Sequence, residues 1–262
     1  MKHSFRILAA VLAAAFVFVL TGCSGGSGAA SFTWFVDTIP SNLDPQVASA
    51  ASDVIACENL YSGLVRKNSD GELLPDLCES WTVSADGRTY TFQLKDGLTY
   101  KAVKGADTNY AITAEDFVFA FRRMFDPQTA SPYAVEFSAI ENSAAVLAGE
   151  AAPSSLGVSA SGPLTLVFRL SEKDDNFLSK LALPGAMPCD EEFFDSTRGT
   201  YGLTAKATLS SGSFYLYNWT ASGLFLRRDV ASPLIGSLRL VQNTGNTGKS
   251  AAQLIADEKC SA

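Results

Sequence analysis

The sequence predicts an α/β protein, and three observations carry that reading. Tyr90, Phe92 and Leu94 alternate with Thr89, Thr91 and Gln93, the period of two expected of a strand with one buried face. From Ile112 the period changes. Phe117, Ala120, Phe121 and Met124 recur at helical spacing, with Arg122 and Arg123 near the end of the run. Glycine turns such as Asp86-Gly87 and Asp96-Gly97 separate the periodic stretches. With 262 residues the chain can form one large domain or two small ones. Its 47% apolar and 18% charged composition is that of a globular protein.

Taken in order, Met1 to Cys23 has a basic start (Lys2, Arg6), an apolar run from Ile7 to Leu20, and then Leu20-Thr21-Gly22-Cys23. The run is shorter than the ~20 residues of a membrane span and has the length of a signal-peptide core. Leu-Thr-Gly-Cys resembles the bacterial lipobox, which implies a signal peptide over 1–22 and lipidation of Cys23. Residues 23–31 are rich in Ser, Gly and Ala, a flexible tether.

The charge and histidine content narrow the function classes. The net charge is −7; without Lys2 and Arg6 it is 18 basic against 27 acidic side chains, or −9. A nucleic-acid footprint needs clustered positive charge, so no nucleic-acid partner is expected. The single histidine is His3, inside the signal segment. Catalysis through a Ser–His–Asp or Cys–His pair, and metal sites built on imidazole, are thereby excluded for the exported chain. No catalytic residue, metal or cofactor is expected. The adjacent acids Glu115/Asp116 and Glu191/Glu192 do not face each other on a helix, which disfavours a secreted hydrolase. Cys57, Cys78, Cys189 and Cys260 contain no Cys-x-x-Cys spacing; export permits disulfides, but buried free thiols are the favoured reading.

Phe32 to Val36 reads as the first strand. Helical spacing follows at Val54, Ile55, Asn59 and Leu60, with Ser52 or Asp53 as the cap. Leu64-Val65 runs into a turn at Asn68–Gly71, and Pro75 opens a short acidic helical piece ending near Trp81. Tyr100 to Tyr110 reads as a polar loop. A helix begins after Ile112, where Thr113 and Asp116 have the spacing of a capping box. Glu136 to Leu147 forms another helix, Leu164 to Leu170 a strand, and Phe177 to Ala182 a short helix ended by Pro184. Leu224–Leu226 and Leu238–Leu240 are strand-like, and Ala251 to Lys259 is helical.

Several strings in this order resemble one family. They are Tyr61-Ser62-Gly63-Leu64, Asp70-Gly71 with Pro75, Glu79-Ser80-Trp81, Asp86-Gly87 with Tyr90-Thr91-Phe92-Gln93-Leu94, and the run from Thr113 to Arg123. Together they are similar to the extracytoplasmic solute-binding proteins of the peptide/nickel family, the receptors of ABC importers. Asp126-Pro127 followed by Thr129-Ala130-Ser131-Pro132-Tyr133 is closest to the oligopeptide-binding branch. Ser211-Gly212-Ser213-Phe214 departs from that family's Asn-Gly-Pro-Phe.

The resemblance implies a periplasmic-binding-protein-like fold of type II, peptide-binding cluster, of which the chain carries the N-terminal portion only. Residues 32–61 and 189–262 would form a discontinuous, incomplete domain I and 62–188 an inserted domain II, with the second lobe missing. It further implies a lipid-anchored, monomeric receptor on the outer side of the bacterial membrane, binding short peptides and serving an ABC permease and its ATPase subunits. The alternative is a peptide or pheromone sensor without transport. Tyr133, Asp44, Pro45 and Ser49 are the implied ligand-binding residues. Lacking a second lobe, the chain alone is expected to bind peptide weakly.

Overall fold

The structure, a computed structural model, describes residues 30–228 and 235–244. Cys23, Cys260 and the expected helix at Ala251–Lys259 lie outside them. In chain order the strands are β1 (Ala30–Val36), β2 (Val65–Lys67), β3 (Leu73–Pro75), β4 (Cys78–Val83), β5 (Thr89–Leu94), β6 (Thr99–Lys101), β7 (Asp107–Ala111), β8 (Val158–Gly162), β9 (Thr165–Arg169), β10 (Phe214–Thr220), β11 (Gly223–Arg228) and β12 (Ile235–Gln242). The α-helices are α1 (Ala51–Leu60), α2 (Ala114–Phe125), α3 (Ser143–Leu147), α4 (Phe177–Lys180) and α5 (Glu191–Ser196).

Two large apolar cores form, with a small third cluster of Ala120, Cys189 and Tyr201. One sheet has the order β1-β12-β11-β10, with β1 parallel to β12 and the other pairs antiparallel. Its inner face buries Leu216, Leu224, Leu226 and Leu240 against Ala56, Cys57 and Leu60 of α1. The other sheet, β4-β5-β9-β8, is antiparallel. On β5 the alternation holds: Tyr90, Phe92 and Leu94 are buried. On α2, Phe117, Phe121 and Met124 face the same core, where the Phe121 ring lies edge-on to Phe137 at 5.1 Å and Phe168 at 5.0 Å. Edge-to-face pairs of this kind add to plain area burial. The chain crosses between the cores after Tyr61 and again near Met187.

Several local expectations need correction. The stretch after Pro75 is strand β4, not a helix; Cys78 and Ser80 to Val83 pair with β5 around a bulge at Glu79, and tertiary pairing overrides local preference. Tyr100 to Tyr110 is a hairpin of β6 and β7, turned by Lys104 (φ 65) and Gly105 (φ 74). Glu136 to Leu147 is not one helix: a 3₁₀ turn at Ala134–Phe137 and α3 are separated by Asn142 at φ 63. Helix α1 begins at Ala51 without a side-chain cap. Asp53 instead accepts the Ser41 N–H at 2.7 Å, and the Ser52 hydroxyl pairs with Thr38 at 3.2 Å, so both hold the preceding loop. Cys57, Cys78 and Cys189 are buried free thiols.

Candidate ligand-binding site

The loop from Ser41 to Ser49 is where the two cores meet. Asn42 Oδ1 accepts the Asp44 N–H at 2.9 Å, and Asp44 Oδ1 accepts the Gln46 N–H at 3.1 Å. These are Asx turns, in which a short polar side chain substitutes for a backbone acceptor. Leu43 N–H donates to Gly202 C=O at 2.7 Å. A Cβ at Gly202 would come within 2.3 Å of the Asp44 nitrogen, and its φ is +71, so only glycine permits this approach.

Arg123, from the end of α2, locks the loop to the second core. Its Nη2 donates to Asp44 Oδ2 at 2.6 Å and its Nη1 to Gln46 Oε1 at 2.8 Å. The guanidinium lies 4.0 Å from the centroid of Phe194 and 5.3 Å from that of Tyr201. Nη1 also approaches Cys189 Sγ at 3.4 Å. Burial pushes that thiol up to about 12, so it stays neutral, and the counter-charge is Asp44's. Both charged side chains are buried, so the pair holds only because its hydrogen bonds are made. Gln46 completes the junction by donating to Met187 C=O at 2.9 Å and Gly185 C=O at 3.2 Å.

Tyr133 closes over the same loop. Its hydroxyl donates to Ala48 C=O at 2.8 Å, and the Ser131 hydroxyl donates to Gln46 C=O at 2.5 Å. The ring lies against Gly185, where a Cβ would meet Tyr133 Cγ at 2.5 Å. Burial pushes the Tyr133 hydroxyl up to about 12, so it is a donor at any physiological pH. Of the residues implied by the sequence, the structure gathers all four around one loop. Asp44 and Pro45 are buried, Tyr133 is half-buried and Ser49 is exposed. Arg123 and Gln46 were not foreseen; a charged residue near a helix end reads as solvated, and its partner Asp44 is 79 residues away.

Beside this junction a crevice of about 630 Å³ opens between the cores. Glu58 and Tyr61 of the α1 end, β2, Ser179 and Leu183 after α4, and Phe214 and Arg228 wall it. Glu58 belongs to both places, since it lines the crevice and its charge acts on Tyr133. A crevice of this size between packed units is a common setting for a small-ligand site. The fold is α/β, and the crevice lies at the seam of its two large cores.

Residues 72–229, more than half of the chain, match the family described as bacterial extracellular solute-binding proteins, family 5 Middle. The chain belongs to that family, whose members are binding proteins and not enzymes. It is 31% identical over 185 residues to the probable deoxycholate-binding periplasmic protein YgiS of Escherichia coli K12, covering 70% of this chain and 33% of that one. To the periplasmic murein peptide-binding protein MppA of the same organism it is 36% identical over 135 residues, 51% of this chain and 24% of the relative. The solved pheromone receptor PrgZ superposes with a TM-score of 0.78 at 26% identity, over 89% of this chain and 46% of that one. The chain thus spans a third or less of the length of these two curated relatives and under half of the solved one.

Proposed function

We propose that the chain is part of the substrate-binding lipoprotein of an ABC importer, capturing short peptides outside the membrane for delivery to the permease and its ATPase subunits. Membership of the solute-binding family carries this reading. Relatives named for murein peptide and for a peptide-binding pheromone receptor support peptide as the ligand class. The pheromone receptor also favours a second reading, sensing without transport. Cys23 would be the lipid anchor, residues 24–31 the tether, and the receptor a monomer. Residues 32–61 and 189–262 would act as domain I and 62–188 as domain II, a division that the two cores support apart from Met187 and Leu209.

Within the site, Tyr133 and Ser49 would face the ligand, while Asp44 and Pro45 would act through the shape of the loop they hold. These 262 residues correspond to under half of the pheromone receptor chain. Their own affinity for peptide would therefore be weak, in the millimolar range near −4 kcal/mol on the scale where micromolar is about −8. The test is an NMR titration of the ¹⁵N-labelled chain with short peptides and, separately, with deoxycholate. Saturable shifts near Ser49 and Tyr133 with peptide are expected. No shift at millimolar peptide, or shifts with deoxycholate alone, overturns the peptide reading. Anchoring is checked separately: Cys23→Ser should abolish labelled fatty-acid incorporation, and a variant still acylated refutes the anchor.

A further inference from the structure

The side of the β1-β12-β11-β10 sheet turned away from α1 has a chemistry of its own. Leu238 and Leu240 of β12 point into the core, so the residues between them and their partners on β11 point the other way. The pairs Phe225↔Arg239 and Arg227↔Ser237 therefore share this outer face. The Arg227 guanidinium lies 3.6 Å from the centroid of the Tyr217 ring. Tyr217, Asn218, Phe225, Arg227, Ser237 and Arg239 together line a hollow of about 250 Å³.

Charge sets this sheet apart. The whole chain carries −7, yet the four strands contribute Arg227, Arg228 and Arg239 and no acid. Arg227 and Arg239 are exposed and form no ion pair among the described residues. Position adds to charge. Residues 24–29 alone separate Cys23 from Ala30, and fully extended that stretch spans at most about 25 Å. Ala30 pairs with Ile235 and Thr33 with Arg239, so the root of the tether is about 10 Å along β1 from the level of Arg239. A lipid on Cys23 thereby keeps the hollow beside the bilayer at a high effective concentration, where a weak contact suffices. A second copy docked about a two-fold axis would set these arginines against their own counterparts, which disfavours that occupant.

We infer that the outer face of this sheet rests on an anionic bilayer, with Arg227 and Arg239 on lipid phosphates and Tyr217 at the level of the headgroups. The planar guanidinium matches phosphate geometry, tyrosine settles at membrane–water interfaces, and each cation near an anionic surface strengthens the contact. This rests on the lipid-anchor reading and adds to it a second, charge-dependent contact that fixes which face the anchor brings down.

The test places the ¹⁵N-labelled full chain in nanodiscs of phosphatidylcholine, alone or mixed with phosphatidylglycerol, with a trace of lipid carrying gadolinium on its headgroup. In the mixed discs the amides of Phe225, Arg227, Ser237 and Arg239 should relax faster than those of the Ala48–Ser49 loop, and added salt should reverse the effect. Arg227→Gln and Arg239→Gln should each weaken the contact about fivefold; both side chains are exposed, and thermal unfolding confirms that the variants are folded. Equal relaxation in the two kinds of disc, or the strongest effect on another face, overturns the inference. So does a lipid-free chain in which these amides broaden with protein concentration, the mark of a second copy, or show contacts to residues 245–262. Cys23 without fatty acid, read by mass spectrometry, overturns the anchor alone, and relaxation at the four amides still decides the face.

Discussion

Removing the charge pair at the junction tests whether the two cores are held as one body. Asp44 and Arg123 are 8% and 9% exposed, and Nη2 and Oδ2 lie 2.6 Å apart. Breaking a buried pair by removing one partner costs about 3–5 kcal/mol, because the other charge is left unmet. Asp44→Asn keeps an acceptor, and the guanidinium keeps Gln46 and the Phe194 face, so the low end, about 3 kcal/mol, is expected. Arg123→Met strands a buried carboxylate and also removes the donor to Gln46 Oε1, so the upper end, about 5 kcal/mol, applies. The double variant leaves no uncompensated charge. It loses chiefly the cation–π contact and the Gln46 bond and should cost about 2–3 kcal/mol, less than Arg123→Met alone. Urea unfolding is the assay, followed at Trp81 beside one core and Trp219 beside the other. In the parent both tryptophans should report one transition; in Arg123→Met the two should separate. Additive single and double losses, or coincident transitions in all variants, would refute the latch.

Three further outcomes follow from the same geometry. Tyr133→Phe loses the bond to Ala48 C=O and should destabilise by about 1 kcal/mol while weakening peptide binding; a variant with parental melting temperature shows that the bond contributes nothing. Gly185→Ala places a Cβ 2.5 Å from Tyr133 Cγ, so the ring must move, at about 1–3 kcal/mol; unchanged Tyr133 ring resonances would contradict this. Asp116 is pushed up to about 7 by burial, with Asp190's charge adding and the Thr113 N–H bond opposing. The folded state then holds a proton that the unfolded chain releases near its ordinary value of about 4, so this group's contribution to stability falls between about pH 4 and pH 7 and is level above. Asp116→Asn should flatten stability across that window and gain on the parent at neutral pH; an unchanged profile refutes the assignment.

The parts legible in the sequence were those whose pattern has a local cause. Tyr90, Phe92 and Leu94 announced β5 because one face of the strand is buried, and Phe117, Phe121 and Met124 announced α2 for the helical equivalent. The strand after Pro75 was hidden because Glu79 and Ser80 are exposed, and only pairing with β5 makes them β. The 100–110 hairpin was hidden by its polarity: Asp107, Asn109 and Ala111 are exposed, so no apolar alternation marks β7. In the candidate site, Tyr133, Asp44, Pro45 and Ser49 came from resemblance to known strings; the structure sets the last three on one loop and Tyr133 over it. Arg123 had no local signature, because its role is defined by what lies across the seam.

The parallel pairing of β1 with β12 imposes an order on assembly. Gln242 reaches back to Asp37 C=O across 205 residues, and among the described residues the strand that pairs with β1 lies beyond β11. All but Leu209 of the other core's buried residues fall within 64–186, so most of it can close as soon as this segment is made. β1, with the apolar run Phe32-Thr33-Trp34-Phe35-Val36, must wait for β12. Contacts so distant along the chain form slowly, and a waiting strand rich in aromatic and β-branched residues is a ready template for the wrong partner. The first strand synthesised is thus among the last to find its place, and in that interval the chain is most in need of a chaperone.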